Sequence, residues 1–206
     1  MKTGQIVAVA VVLTIAATAA HAQKGIDVAI SGAGVFSKTT SSANSAISDT
    51  PTKSLAIFGS ARYHITKRHA LEVNIGHTRN SQIFSVPPDT YRVMTGIGEF
   101  TAGYVFTPFQ GNRFQPFVLA GGGVLAFRVG NTYVDTVQQS LGANSRTALT
   151  FLYGAGTDYS LWKFLALRLQ YRGLVYRNPD YGVPSRFFTG ARGHMAEPAV
   201  GIVVKF

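Results

Sequence analysis

Apolar and polar side chains alternate with a period of two over unusually long stretches of this 206-residue chain. In residues 165–177, Leu165, Leu167, Leu169, Tyr171 and Val175 fall on one face, and Arg168, Gln170 and Arg172 on the other. Successive side chains of a strand point to opposite faces, so this period predicts strand. Eight such segments can be marked, at about 26–38, 54–66, 69–79, 93–106, 115–129, 147–160, 165–177 and 194–206. No amphipathic helix of useful length competes with them. Most are 11–15 residues long. Strands of soluble proteins run to about 5–6 residues, whereas a tilted strand crossing a bilayer needs about 9–11.

The connections alternate as well. Short ones are expected near Lys67-Arg68, at 107–114 and at 161–164, and long ones at 39–53, 80–92, 130–146 and 178–193. All short turns then lie at one end of the sheet and all long loops at the other, which is the asymmetry of a membrane barrel.

The placement of charge separates a membrane barrel from a soluble β-sandwich. In hydrocarbon every backbone group must pair internally, so the sheet must close and its outer face must be apolar. With outward faces assigned by parity, no charged residue falls within the outward band. Arg79 and Arg177 are outward but sit at strand ends. The inward set collects Arg62, Glu72, Glu99, Arg128, Asp158, Arg168, Arg172 and Glu197, including all three Glu of the chain. A sandwich would turn those charges to water and its apolar faces to each other. Aromatic residues cluster at the short-turn end (Tyr63, Tyr104, Phe114, Phe117, Tyr159, Trp162, Phe164 and Phe206 among them), as an interfacial girdle requires.

Residues 1–22 have the order of a secretory signal peptide: Lys2, an apolar run from Ile6 to Ala20, then Ala20-His21-Ala22 with small residues where cleavage is read. The expected mature domain is 23–206. It holds no 18-residue apolar run, so no transmembrane helix is expected. The absence of Cys excludes a disulfide scaffold, thiolate metal sites and a Cys nucleophile. The net charge of +10 is spread over lumen, turns and rims without a stacking platform, so anionic headgroups fit it better than nucleic acid.

On these features the chain resembles the small eight-stranded outer-membrane β-barrels of Gram-negative bacteria, the group of the OmpA transmembrane domain, OmpX and the opacity-type proteins. The leader, the eight-segment pattern and the ending Pro198-Ala199-Val200-Gly201-Ile202-Val203-Val204-Lys205-Phe206 carry the resemblance, which spans residues 23–206. It implies an all-β fold: an eight-stranded antiparallel up-and-down transmembrane β-barrel preceded by a cleaved signal peptide. It implies Sec export to the bacterial outer membrane, with loops 39–53, 80–92, 130–146 and 178–193 extracellular. By the same resemblance Val200, Ile202, Val204 and Phe206 form the signal read by the barrel-assembly machinery. It does not extend to a periplasmic peptidoglycan-binding domain, so tethering to the cell wall is not implied.

An eight-stranded barrel has a lumen about filled by side chains, and charges buried there must pair. A three-residue turn at 66–68 sets Arg62 opposite Glu72. Asp158 and Arg168 lie at one depth, and Arg172 and Glu197 sit higher on neighbouring strands. The expected function is therefore a non-enzymatic integral barrel with a structural or surface-interaction role and a lumen plugged by paired charges. The alternatives are a narrow pore for small solutes and, third, a lipid A-modifying enzyme. Tyr181, Arg186, Phe187, Phe188 and Arg192 in the last loop are hot-spot residue types and candidate surface contacts. Expected partners are outer-membrane lipids and lipopolysaccharide, with no nucleic acid and a monomeric barrel. No catalytic constellation emerges: His77 and Ser81 lack a placed acid. Gly121-Gly122-Gly123 lacks the Gly-Lys-Ser/Thr of a phosphate loop and reads as a packing device. No cofactor or metal is expected.

Overall fold

The computed structural model describes residues 25–43, 46–109, 111 and 113–206; the leader expected at 1–22 lies outside the described residues. Eight long strands follow one another: β1 Ile26–Ser37, β2 Ser54–His64, β3 His69–Val86, β4 Asp89–Phe106, β5 Phe114–Val134, β6 Arg146–Trp162, β7 Leu165–Arg177 and β8 Arg192–Lys205. Each pairs antiparallel with the next. β1 also pairs with β8, with Ile30 opposite Ile202, so the sheet closes into an eight-stranded barrel and the wall has no free edge.

Four strands outrun their expected bounds. β3 and β4 have 18 residues each, β5 has 21 and β6 has 17. A band of ~25 Å at a tilt of ~40° needs only about 33 Å of strand, and an 18-residue strand rises about 58 Å. In β3, β4 and β5 the surplus stands beyond the band at the long-loop end. The 80–92 segment is accordingly not a loop: the β3–β4 ladder continues to Val86 opposite Asp89, and only Pro87 and Pro88 turn. The 130–146 segment is also partly strand, with β5 reaching Val134 and Val137–Gln138 folding back onto it. Hydropathy hides these extensions because their inward side chains mix types: Gln82, Phe84, Tyr91, Val93 and Thr132 are all buried.

The outer wall is an apolar belt. Ile30, Ile57, Ile75, Phe100, Val118, Phe151, Leu169 and Ile202 are all exposed, and Leu55 and Leu149 are 82% and 81% exposed. An apolar surface that encircles a molecule is suited to hydrocarbon, not water. Tyr63, Tyr104, Phe114, Trp162 and Phe164 ring the short-turn end and are exposed. Phe117 does not join them, because it is buried inside the barrel. The three glycines of β5 act in the wall: a Cβ on Gly121 or Gly123 would fall 2.1 Å from the carbonyl oxygen of Ala102 or Phe100 on β4.

Candidate functional site

The lumen is crossed at two depths. Nearer the short-turn end, the register places Arg62 of β2 opposite Glu72 of β3, and Arg168 of β7 opposite Asp158 of β6. These two pairs stand on facing walls and meet in the middle. Arg62 holds Glu72 at 2.7 Å and reaches Asp158 at 3.4 Å. Arg168 grips both oxygens of Asp158, Nε at 2.7 Å and Nη2 at 2.8 Å, and its Nη1 donates to Glu72 at 3.2 Å. The result is an alternating, charge-balanced tetrad. Under it lies the Phe117 ring, with the guanidinium carbons of Arg62 and Arg168 at 4.2 and 5.1 Å from its centroid. At the adjoining end of the lumen Lys205 Nζ donates to Gln115 Oε1 at 2.8 Å.

The second crossing is a triad. Arg172 of β7 donates to Glu197 of β8 at 2.5 Å and to Glu99 of β4, on the far wall, at 2.6 Å. Its guanidinium carbon lies 3.7 Å from the centroid of Phe58. Two carboxylates thus share one cation. Between tetrad and triad runs an amide and hydroxyl tier with Ser60, Asn74, Thr101 and Gln170, all buried. Both side-chain polar atoms of Asn74 and the Oε1 of Gln170 have no protein partner.

Arg128 is a correction to the inward set. It lies on the outer wall and is exposed, in the same register row as Arg79 with Gly96 of β4 between them. Along β5 it is the odd-numbered residues that face in: Phe117, Leu119, Leu125 and Phe127 are all buried. Both faces of this strand are apolar, so alternation alone does not say which is inside. The interior above the triad needs apolar filling, and Leu125 and Phe127 supply it together with Ile97, Leu152, Leu174 and Met195.

That apolar tier is closed by the last loop, and here two expected surface contacts are corrected. Tyr181 and Phe187 are fully buried. They pack on Phe84, at ring-centroid distances of 6.2 and 4.6 Å, with Phe127 and Tyr91 alongside. A short helix, α1 Pro184–Phe187, turns Phe187 inward. Tyr181 holds φ at 51°, an uncommon left-handed conformation for a bulky side chain. Its carbonyl accepts the Asn144 N–H at 2.7 Å. Arg186, Phe188 and Arg192 remain exposed, with Arg186 over the Tyr91 ring and Arg192 on the wall as the first residue of β8. Beside the cap, the buried Asp49 accepts a hydrogen bond from Asn178 Nδ2 at 2.8 Å. Burial lifts the Asp49 carboxyl to about 7, and the Asn178 bond offsets only part of that. Sequence reasoning passed over Phe58 and Asp49 and set Phe117 in the girdle. The one available signal was that Asp49 is the single carboxylate of residues 39–53.

His64 bonds Asp27 at 2.8 Å between β2 and β1, His69 bonds the Tyr104 hydroxyl, and His194 bonds the Tyr153 hydroxyl at 2.8 Å. His77 faces outward beside Arg79 and Arg128. Val200 and Ile202 are exposed on the outer face of β8, and Val204 and Phe206 continue that face half-buried. Among the described residues no three His, Cys, Asp or Glu side chains gather where they could hold a metal ion.

No curated protein matches the chain. Solved structures do. Neisserial surface protein A is 16% identical, covers 88% of this chain over 97% of its own, and superposes with a TM-score of 0.54. Ail of Yersinia pestis, solved with the heparin analogue sucrose octasulfate, is 16% identical, covers 89% over 100% of its own length, and scores 0.51. The outer membrane protein OprG from Pseudomonas aeruginosa is 14% identical, covers 89% over 97%, and scores 0.50. At these identities the likeness is one of fold. The family model described as the outer membrane protein beta-barrel domain matches residues 6–188. With a closed eight-stranded wall, an apolar outer belt and that match, the chain belongs to the outer membrane protein β-barrel family of bacteria.

Proposed function

We propose that this protein is a non-enzymatic barrel of the outer membrane with a structural or surface-directed role, and that its lumen does not conduct. The observation that carries the reading is the double closure. Two charge clasps join opposite walls, and an aromatic cap of Tyr181, Phe187, Phe84 and Tyr91 fills the mouth above them. In this reading residues 1–22 are a Sec leader, and the long-loop end faces outside. Arg186 and Phe188 are the loop side chains offered to a partner, and Val200, Ile202, Val204 and Phe206 are read by the assembly machinery. Outer-membrane lipids and lipopolysaccharide surround a monomeric barrel.

The test is single-channel conductance of residues 23–206 refolded into a planar bilayer, after a heat-modifiable gel band has established folding. A folded, silent barrel is the expected result. Reproducible current steps that shift on Glu72→Gln or Arg168→Gln would overturn it in favour of the second reading, a narrow pore for small solutes. That reading has one observation behind it: the unpartnered amide of Asn74 and the unpartnered Oε1 of Gln170 lie in a polar tier in mid-lumen.

A further inference from the structure

The barrel's outer wall carries charge of one sign. On the outward faces of the strands toward the long-loop end stand Arg79, Arg92, Arg128, Arg177 and Arg192, and among the described residues no strand turns a carboxylate outward. Two of these arginines are set against each other. Arg177 ends β7, Arg192 opens β8, and the register pairs them directly. Like charges directly opposite on neighbouring strands repel. Among the described residues neither has an ion-pair partner. Arg79 and Arg128, by contrast, are separated by a whole strand at Gly96.

Level with the arginine pair and one row below it the wall is concave. An open groove of about 450 Å³ is lined by Leu149, Phe151, Val175, Tyr176, Arg177, Gly190 and Arg192, the two arginines forming its polar part. One row further down, the Tyr153 ring crosses Gly173, where a Cβ would fall 2.3 Å from it, to reach His194. Depth fits a lipid. On β7 the outward residues from Leu165 to Val175 are uncharged. That run rises about 34 Å along the strand, or about 26 Å along the axis at a tilt of ~40°, the height of the apolar band. Arg177 is the next outward residue, so the pair stands just past the hydrocarbon, at headgroup depth.

We infer that Arg177 and Arg192 bind the phosphate of an acylated, phosphorylated sugar lipid of the outer leaflet, with an acyl chain lying along Leu149, Phe151 and Val175. Two guanidinium groups supply forked donors to one phosphate, and the anion relieves their repulsion. The groove takes the chain. The inference rests on the reading that the long-loop end faces the outer leaflet.

The test is native mass spectrometry of the refolded 23–206 barrel, released from phosphatidylcholine nanodiscs containing lipid A. The probes are bisphosphorylated lipid A, dephosphorylated lipid A and phosphatidylglycerol. One bisphosphorylated lipid A retained per barrel is expected. Its retention should fall about tenfold or more in the Arg177→Gln/Arg192→Gln variant, as for a lost charge-assisted contact. It should stay unchanged in Arg79→Gln/Arg128→Gln. Equal loss in both variants would replace the site with a diffuse basic belt. Equal retention of dephosphorylated lipid A or of phosphatidylglycerol would also overturn it, and these arms use the unsubstituted protein. A chain giving no heat-modifiable band in lipid removes the membrane-barrel reading and the site with it. A folded barrel that keeps no lipid A removes the site alone.

Discussion

Glu72 is shared by two guanidinium groups, Arg62 at 2.7 Å and Arg168 at 3.2 Å, on opposite walls of the lumen. Its truncation strands charge on both sides. Breaking one member out of a buried pair costs about 3–5 kcal/mol, so Glu72→Ala should lower the urea midpoint markedly. An unchanged midpoint would show that the tetrad adds no stability. The triad responds differently, because it has one carboxylate more than it has cations. Glu99→Gln leaves Arg172 with Glu197 and should shift the midpoint little. Arg172→Met leaves Glu99 and Glu197 facing each other and should cost more than any other single change in the upper lumen. Comparing the two urea midpoints checks the assignment, and a reversed order would refute it.

At the scale of elements, the last loop behaves as a stopper rather than a surface loop. Its hold on the wall runs through Asn178, which donates to Asp49 at 2.8 Å and to Thr40 at 3.1 Å. The folded Asp49 carboxyl titrates at about 7 against 3.8 when free, because burial disfavours its charge. The folded protein therefore binds more protons than the unfolded one between those values, and stability falls as pH rises through that window. The stopper should be tightest below about pH 4 and loosest above about pH 7. Hydrogen exchange of residues 178–191 followed from pH 4.5 to 7.5 measures this, and Asp49→Asn should flatten the dependence. The extended β3–β4 hairpin and the extension of β5 that pairs with it serve the same purpose. Their inward residues Phe84, Tyr91 and Thr132 line the shaft that Tyr181 and Phe187 close.

For the molecule as a whole, the interior is layered: balanced tetrad, amide tier, acid-rich triad, apolar tier, aromatic stopper. Conductance through such a stack requires at least two layers to move. Deleting residues 180–190 removes one of them and leaves the clasps in place. The folded deletion variant should remain silent in a planar bilayer, while current from it would put the whole seal at the stopper.

The eight strands, their order and the two unlike ends are legible along the chain. Period-two patterning and connection length are local properties, and the cost of a bare backbone in hydrocarbon leaves a closed barrel as the solution. The inward charges on β2, β3, β4, β6, β7 and β8 are legible for the same reason, since on each of these strands the opposite face carries the apolar residues of the belt. β5 is not: Val124-Leu125-Ala126-Phe127 is apolar on both faces, and Arg128 takes its side from what the neighbouring strands leave unfilled. Nor does the chain announce that Tyr181 and Phe187 are inside. A loop aromatic is exposed or buried according to whether a cavity awaits it, and that cavity exists only once β3, β4 and β5 rise past the band beside it. Cross-lumen partners such as Arg172 and Glu99, 73 positions apart, likewise meet only because closure brings facing walls within a side chain's reach.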